Sequence, residues 1–230
     1  MPPRTYRWLL LTLAVVGLSA DLATKYRVFR WLYNNGEAAD TGTFQAWVPA
    51  TRWSDGHATF LNGGRYNLLP GWFGFNADYD RKAPPSEGSF HSLQAWSAPV
   101  MPRVNHGALF GLGGEHEGLA NTIFAVVSVL AAVAIVVWGM QRKTAREKWL
   151  MTALGLILGG TVGNLYDRIV FNGVRDFLYF YKVEWPVFNV ADCCLVVGAG
   201  LLLAQAIFVS PPSEEKPVAV DEPVIPAPKA

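Results

Sequence analysis

Hydrophobic positions in this chain gather into four long runs set apart by polar segments. They are Trp8 to about Ala23 (WLLLTLAVVGLSADLA), about Ala120 to Met140, Trp149 to Tyr166, and Val187 to about Val209. Each reaches or approaches the ~20 residues that a helix needs to cross a hydrocarbon core. Within the third run Gly159, Gly160 and Gly163 remove side chains along part of the helix, so a neighbouring helix can approach closely. Between the first two runs the pattern changes. ATFL and RYNLL flank Asn62 to Gly64 and predict two short strands joined by a glycine-bearing turn, and PPSEG near Pro84 predicts a loop. Trp31, Trp47, Trp53, Trp72 and Trp96 in this segment suit the headgroup level of a bilayer. The pattern therefore predicts an all-α integral membrane protein with four transmembrane helices, plus a small extracytoplasmic β-rich subdomain.

Charge placement adds an orientation. Arg4 and Arg7 precede the first run, and QRKTAREK (Gln141 to Lys148) joins the second to the third. Short basic flanks stay in the cytoplasm, so both termini are expected inside and residues 26–118 and 167–186 outside. Read as domains, 1–25 is the first helix and 26–118 the extracytoplasmic β-rich segment. Residues 119–210 carry helices two to four with a loop at 167–186, and 211–230 form a Pro-rich, polar, disordered cytoplasmic tail. The first run could instead be a cleaved signal peptide ending at Ala20, but Leu18 breaks the small-residue rule at its −3 position, and Asp21 and Lys25 continue the helix. It is expected to be retained.

Composition excludes little. Of the 230 residues 51% are hydrophobic and the formal net charge is +1, so nothing suggests nucleic acid as a partner. Cys193 and Cys194 are adjacent, a spacing that suits neither a disulfide nor a metal and reads as apolar packing. His106 and His116 are the histidines near polar company, without HExxH-type spacing. No metal and no cofactor are expected.

The chemistry lies in charges close to lipid, which are costly there and mark function. Asp21 and Lys25 form an i,i+4 pair at the end of the first helix. Asn105 and Gly107 fall on a strand-to-turn segment ahead of the second. Asn164, Asp167 and Arg168 share a face at the end of the third, where Asp167 beside Arg168 reads as structural support. Asp176 follows an Asn172–Gly173 turn and heads the aromatic run FLYFY. Asp192 stands three residues after Asn189, the spacing of a helix N-cap with an acidic N3 partner. If the helix begins at Val187, however, Asp192 lies ~8 Å along it, too deep for capping alone. Two carboxylates in a low-dielectric site share a proton, so one can activate water while the other protonates a leaving group. Spacing alone also allows Asp167 to pair with Asp192.

Five blocks carry a resemblance. Asp21-x-x-Thr24-Lys25, Asn105-x-Gly107-Ala108-x-Phe110, Gly159-Gly160-x-x-Gly163-Asn164-x-x-Asp167-Arg168, Val174-x-Asp176-Phe177 and Phe188-Asn189-x-Ala191-Asp192 resemble, in the same order, lipoprotein signal peptidase (signal peptidase II). The resemblance implies a four-span inner-membrane aspartyl endopeptidase. It would cut the signal peptide from a prolipoprotein just before the diacylglyceryl-modified cysteine, and cyclic-peptide and macrolactam antibiotics would block it. By the same matching Asp176 and Asp192 are the catalytic pair. Asp21, Lys25, Asn105, Gly107, Asn164, Arg168 and Asn189 orient the pair or the substrate, and Asp167, Gly160 and Gly163 give structural support. Substrate and membrane lipids are the implied partners, and a monomer suffices. The region from about Trp31 to Val100 is extra relative to the family, and Leu109 stands where a second alanine is common, with His106 in the variable slot before Gly107. A transporter or proton-relay subunit is the alternative, since intramembrane Asp, Lys and Arg also mark ion pathways. The apolar cytoplasmic halves of the second and third runs disfavour it. A membrane scaffold would leave the aspartates unexplained.

Overall fold

In the computed structural model the described residues are 5–36, 44–46, 64–69, 71–80, 83–107, 117–183 and 185–208. Four helices in them are long and apolar enough to cross a membrane. Helix α1 spans Arg7–Gly36, α3 Glu117–Met140, α4 Lys148–Val170 and α5 Val190–Phe208; a short helix α2, His91–Ser97, precedes α3. Each long helix corresponds to one of the four apolar runs, with shifted ends. Helix α1 continues well past Ala23, while α4 runs on beyond Tyr166, so Asp167 and Arg168 lie in its last turn rather than in the following loop. Helix α5 begins at Val190, not Val187.

Helix α4 is the central one, packed against α1, α3 and α5. Glycine makes two of these contacts possible. A Cβ on Gly159 would meet the Ala14 carbonyl oxygen of α1 at 2.8 Å, and one on Gly160 would collide with the Ala191 carbonyl oxygen of α5. The small residues expected on the third run thus serve two neighbours on two faces. By contrast α3 and α5 present long apolar side chains outward: Leu130 is 63% and Val196 72% exposed. Such surface suits contact with lipid.

The segment before α3 supplies most of the strands. Strands β1 (Phe44–Ala46), β2 (Gly64–Leu69) and β3 (Phe73–Ala77) form an antiparallel sheet in that order, and β3 continues onto β6 (Leu178–Tyr179), the stretch just after Asp176. A second small sheet pairs β4 (Tyr79–Asp80) with β5 (Met101–Pro102). RYNLL is a strand as predicted. Its expected partner ATFL lies outside the described residues, and β1 and β3 flank it instead. The extension of α1 gives these strands their core: Phe29 and Leu32 pack with Ala77, Tyr79, Ala98 and Phe177, all buried, and Tyr79 Oη donates to the Phe29 carbonyl. PPSEG is irregular as expected. Trp72 and Trp96 are exposed, Trp96 resting on Tyr26 at 4.7 Å between ring centroids. Trp47, Trp53, Ala108, Leu109, Phe110, His116 and the tail from 211 onward lie outside the described residues.

Candidate active site

The end of α4 is closed by polar side chains rather than by more helix. The Asp167 carbonyl accepts from Phe171 N–H, that of Arg168 from Asn121 Nδ2, and that of Val170 from Gln94 Nε2. These bonds satisfy carbonyls that a helix end leaves unpaired. Asn172 then takes φ 57°, the left-handed turn that its side chain tolerates. The predicted Asn172–Gly173 turn is therefore present, and the chain reverses into an extended segment. Val174 bridges Asn105 by two backbone hydrogen bonds, and Leu178 bridges Phe188. Asp176 lies between these two bridges and so faces Asn105 on one side and Asn189 on the other.

Those neighbours hold the Asp176 carboxylate. Asn105 Nδ2 donates to its Oδ2 at 3.0 Å and Asn189 Nδ2 to its Oδ1 at 2.6 Å. Asn105 is itself fixed by a turn in which its Oδ1 accepts from Gly107 N–H at 2.8 Å. Gly107 has φ 91°, and a Cβ there would run into the Phe124 ring, so glycine is required twice over. Burial, and after it the nearby Asp192 carboxylate, push Asp176 up to about 7, against the opposing pull of the two asparagine donors and of Lys25.

Asp192 sits in the first turn of α5, not ~8 Å along a helix that starts at Val187. Its backbone N–H donates to Asn189 Oδ1 at 3.0 Å, while its Oδ2 accepts from Asn189 N–H at 3.1 Å. That reciprocal pair is a capping box. The Asp192 side chain has a further role, because its Oδ1 accepts from Asn164 Nδ2 at 2.9 Å. Asn189 thereby touches both carboxylates: its side-chain amide meets Asp176 and its backbone amide meets Asp192.

A buried ionic layer lies behind this pair. Lys25 Nζ binds Asp21 Oδ2 at 2.7 Å, Asn164 Oδ1 at 3.1 Å and Asp167 Oδ2 at 3.4 Å. Asp21 Oδ1 accepts from Ala191 N–H at 2.9 Å, so α1 binds an orphan amide at the start of α5. Gly163 allows this, since a Cβ there would lie 2.6 Å from Asp21 Oδ2.

Asp167 departs from expectation. Its partner is not Arg168 but Arg175, whose Nη2 binds Oδ1 at 2.7 Å and whose backbone N–H binds Oδ2 at 2.9 Å. Successive residues on a helix point about 100° apart and cannot face each other. Arg168 turns instead to α3, with Nη1 3.3 Å from Asn121 Oδ1 and its guanidinium 4.8 Å from the centre of the Phe124 ring. Of the predicted shared face, Asn164 and Asp167 meet at Lys25, and Arg168 stands apart but within coulombic range of Asp176 and Asp192. Arg175, Ser97, Gln94 and Asn121 escaped the sequence reading. The signal for Arg175 was its place beside Asp176 in a strand-like stretch, where an aspartate facing one way sends its neighbour into the core. Cys193 and Cys194 are free thiols. Among the described residues no three His, Cys, Asp or Glu side chains are placed to hold a metal.

These features define a class: a four-helix membrane protein with two carboxylates joined through one asparagine at one end of the bundle. Comparison with known proteins narrows it. Residues 93–208 match the model of the family described as Signal peptidase (SPase) II. The lipoprotein signal peptidase of Rhodopirellula baltica is 37% identical over 182 residues, covering 73% of this chain and 78% of that one. That of Pseudomonas putida is 41% identical over 114 residues, covering 48% and 66%. Two solved structures of a bacterial membrane enzyme, obtained by the in meso method at 1.9 and 2.3 Å, share the fold. Their TM-scores are 0.57 and 0.58 at 17% and 18% identity, over 91% and 95% of this chain and 99% of each of theirs. The chain belongs to the signal peptidase II family, as a multi-pass protein of the bacterial inner membrane.

Proposed function

We propose that this protein is an aspartyl endopeptidase that removes the signal peptide from diacylglyceryl-modified prolipoproteins, cutting before the lipidated cysteine at Asp176 and Asp192. The observation that carries the reading is the double contact of Asn189, which holds the two carboxylates in one site. Asp176, raised to about 7, keeps a proton under conditions where an ordinary carboxyl has lost it. The pair then has a donor and an acceptor together. One carboxylate takes a proton from the attacking water as its oxygen bonds to the scissile carbonyl carbon. The other gives its proton to the departing amide nitrogen as the C–N bond breaks, and the protons redistribute between them.

The surrounding groups fit orienting roles. Asn105 and Asn189 donate to Asp176 and fix its plane, while Asn164, tied to Lys25, does the same for Asp192. Arg168, within coulombic range of both carboxylates, is available to a substrate carbonyl. Gly107 keeps Asn105 in its turn. Asp167, Gly160 and Gly163 support the fold around them. The basic flanks favour cytoplasmic termini, an orientation under which the site lies at the outer face.

Cleavage of a purified lipid-modified prolipoprotein tests the reading. The wild-type protein is expected to release the signal peptide, and Asp176→Asn and Asp192→Asn to be inactive while accumulating in the membrane. Normal processing by either variant would remove its aspartate from the mechanism. An Asp167→Asn variant that loses activity while Asp176→Asn keeps it would reverse the assignment.

A further inference from the structure

We propose that Arg175 is a positioning residue for the Asp176 carboxylate, and that helix α2 of the segment before α3 acts on the site through it. The proposal rests on the peptidase reading above. Arg175 and Asp176 are neighbours in an extended stretch, so their side chains leave on opposite faces. Asp176 turns to the asparagines, and Arg175 turns into the core and is fully buried. There it is held on every side. Nε and Nη2 grip Asp167, with Nη2 at 2.7 Å, Nη1 donates to Ser97 Oγ at 3.0 Å, and the guanidinium lies 3.8 Å from the centre of the Phe171 ring and 4.3 Å from that of Tyr26.

Two features separate this from generic stabilisation. The Arg175 backbone N–H binds the same carboxylate at 2.9 Å, so the peptide plane joining Val174 to Arg175, one residue before Asp176, is fixed along with the side chain. Moreover, Ser97 ends α2, a helix whose Gln94 also binds the last carbonyl of α4 at 2.6 Å. Helix α2 thus joins the end of α4 to the extended segment carrying Asp176. A planar guanidinium can lock orientation in a way a lysine ammonium cannot. Helix α2 thereby gains a role in the reaction without touching substrate.

The test uses full-length protein in detergent, with kcat and KM on lipid-modified prolipoprotein and hydrogen exchange across residues 171–179. Arg175→Met is expected to lower kcat about 100-fold with KM within about twofold, the signature of a displaced reacting group. It should also speed exchange in that segment, and Arg175→Lys should recover part of both. Ser97→Ala is expected to lower kcat several-fold and to add nothing to Arg175→Met, because it acts through the same side chain. Wild-type kcat in a folded Arg175→Met protein overturns the proposal, as does a Ser97 effect that multiplies with it. If Arg175→Met does not accumulate, unchanged kcat in both Arg175→Lys and Ser97→Ala overturns it. A wild-type protein that cleaves nothing refutes the peptidase reading alone. Exchange then decides the positioning claim, with faster exchange in the variants supporting it and unchanged exchange ending it.

Discussion

Replacing Asp176 by asparagine removes one oxygen-borne charge and leaves nearly the same volume, so its effect on stability isolates the cost of holding that carboxylate in place. Asp176 goes from an ordinary 3.8 to about 7 on folding. Because the folded value is raised, the native state binds the proton more tightly, and stability falls as pH rises from about 4 to about 7. That rise corresponds to roughly 4 kcal/mol at full expression, and partial solvent contact lowers it to about 3 kcal/mol. At about pH 5 only a third or so of the penalty is present, and at about pH 8 all of it. The uncharged amide of the Asp176→Asn variant carries no such penalty at any pH. It does turn an amide hydrogen toward Asn105 or Asn189, a mismatch costing about 1–2 kcal/mol regardless of pH.

The difference between the two pH values is therefore the clean quantity. Asp176→Asn should gain about 2 kcal/mol relative to wild type between about pH 5 and about pH 8, whatever its activity. Thermal unfolding of both proteins in the same detergent, across that range, measures it. A gain that is flat with pH, or larger at the acid end, would refute the reasoning, since it would mean that Asp176 ionises in the fold as easily as in water. An Asp192→Asn background should shrink the pH-dependent part, because the nearby carboxylate is the second cause of the shift.

Three further outcomes follow from the same contacts. Asp167→Asn leaves Lys25 and Arg175 buried with one anion fewer and should cost about 3–5 kcal/mol, which denaturation in detergent would show as a much lower midpoint than that of Asp176→Asn. Asn189→Ser keeps a good helix cap but loses the amide that reaches Asp176, so cleavage should fall steeply with little change in unfolding temperature, whereas Asn189→Ala should lose about 1 kcal/mol as well. Gly160→Leu should abolish accumulation in the membrane, because even a Cβ collides with the Ala191 carbonyl, and immunoblotting of membrane fractions would reveal normal levels if the contact were dispensable.

Much of this was legible in the chain because lipid makes sequence unusually explicit. Four apolar runs could only be helices, and charges near their ends had to find partners, so Asp21 with Lys25 and the polar cluster around Asn164 were visible from the residues alone. Helix ends were less legible. Helix α1 extends past Lys25 because its later turns bury Phe29 and Leu32 against strands far along the chain, a tertiary contact with no local signature. The partner of Asp167 was hidden for a related reason. Arg168 is next in sequence but points elsewhere, and Arg175 reaches Asp167 only after the Asn172 turn reverses the chain.

Asp192 shows how one short spacing can hold two meanings together. Asn189 and Asp192 stood as a helix cap on one reading and as part of a reactive site on the other, and the depth of Asp192 in its helix was the ground for choosing. With the helix beginning at Val190, that ground disappears, and the cap lies on the same atoms that the proposed site uses. Capping fixes the Asp192 carboxylate with one oxygen on the Asn189 amide and leaves the other to face Asn164. It also fixes the Asn189 side chain, whose oxygen is committed to the cap and whose nitrogen must then point at Asp176 and Asn164. The start of α5 is therefore what brings the two aspartates into register. Aspartates on separate segments come to share one partner because that asparagine cannot satisfy its helix without turning its amide toward the other loop.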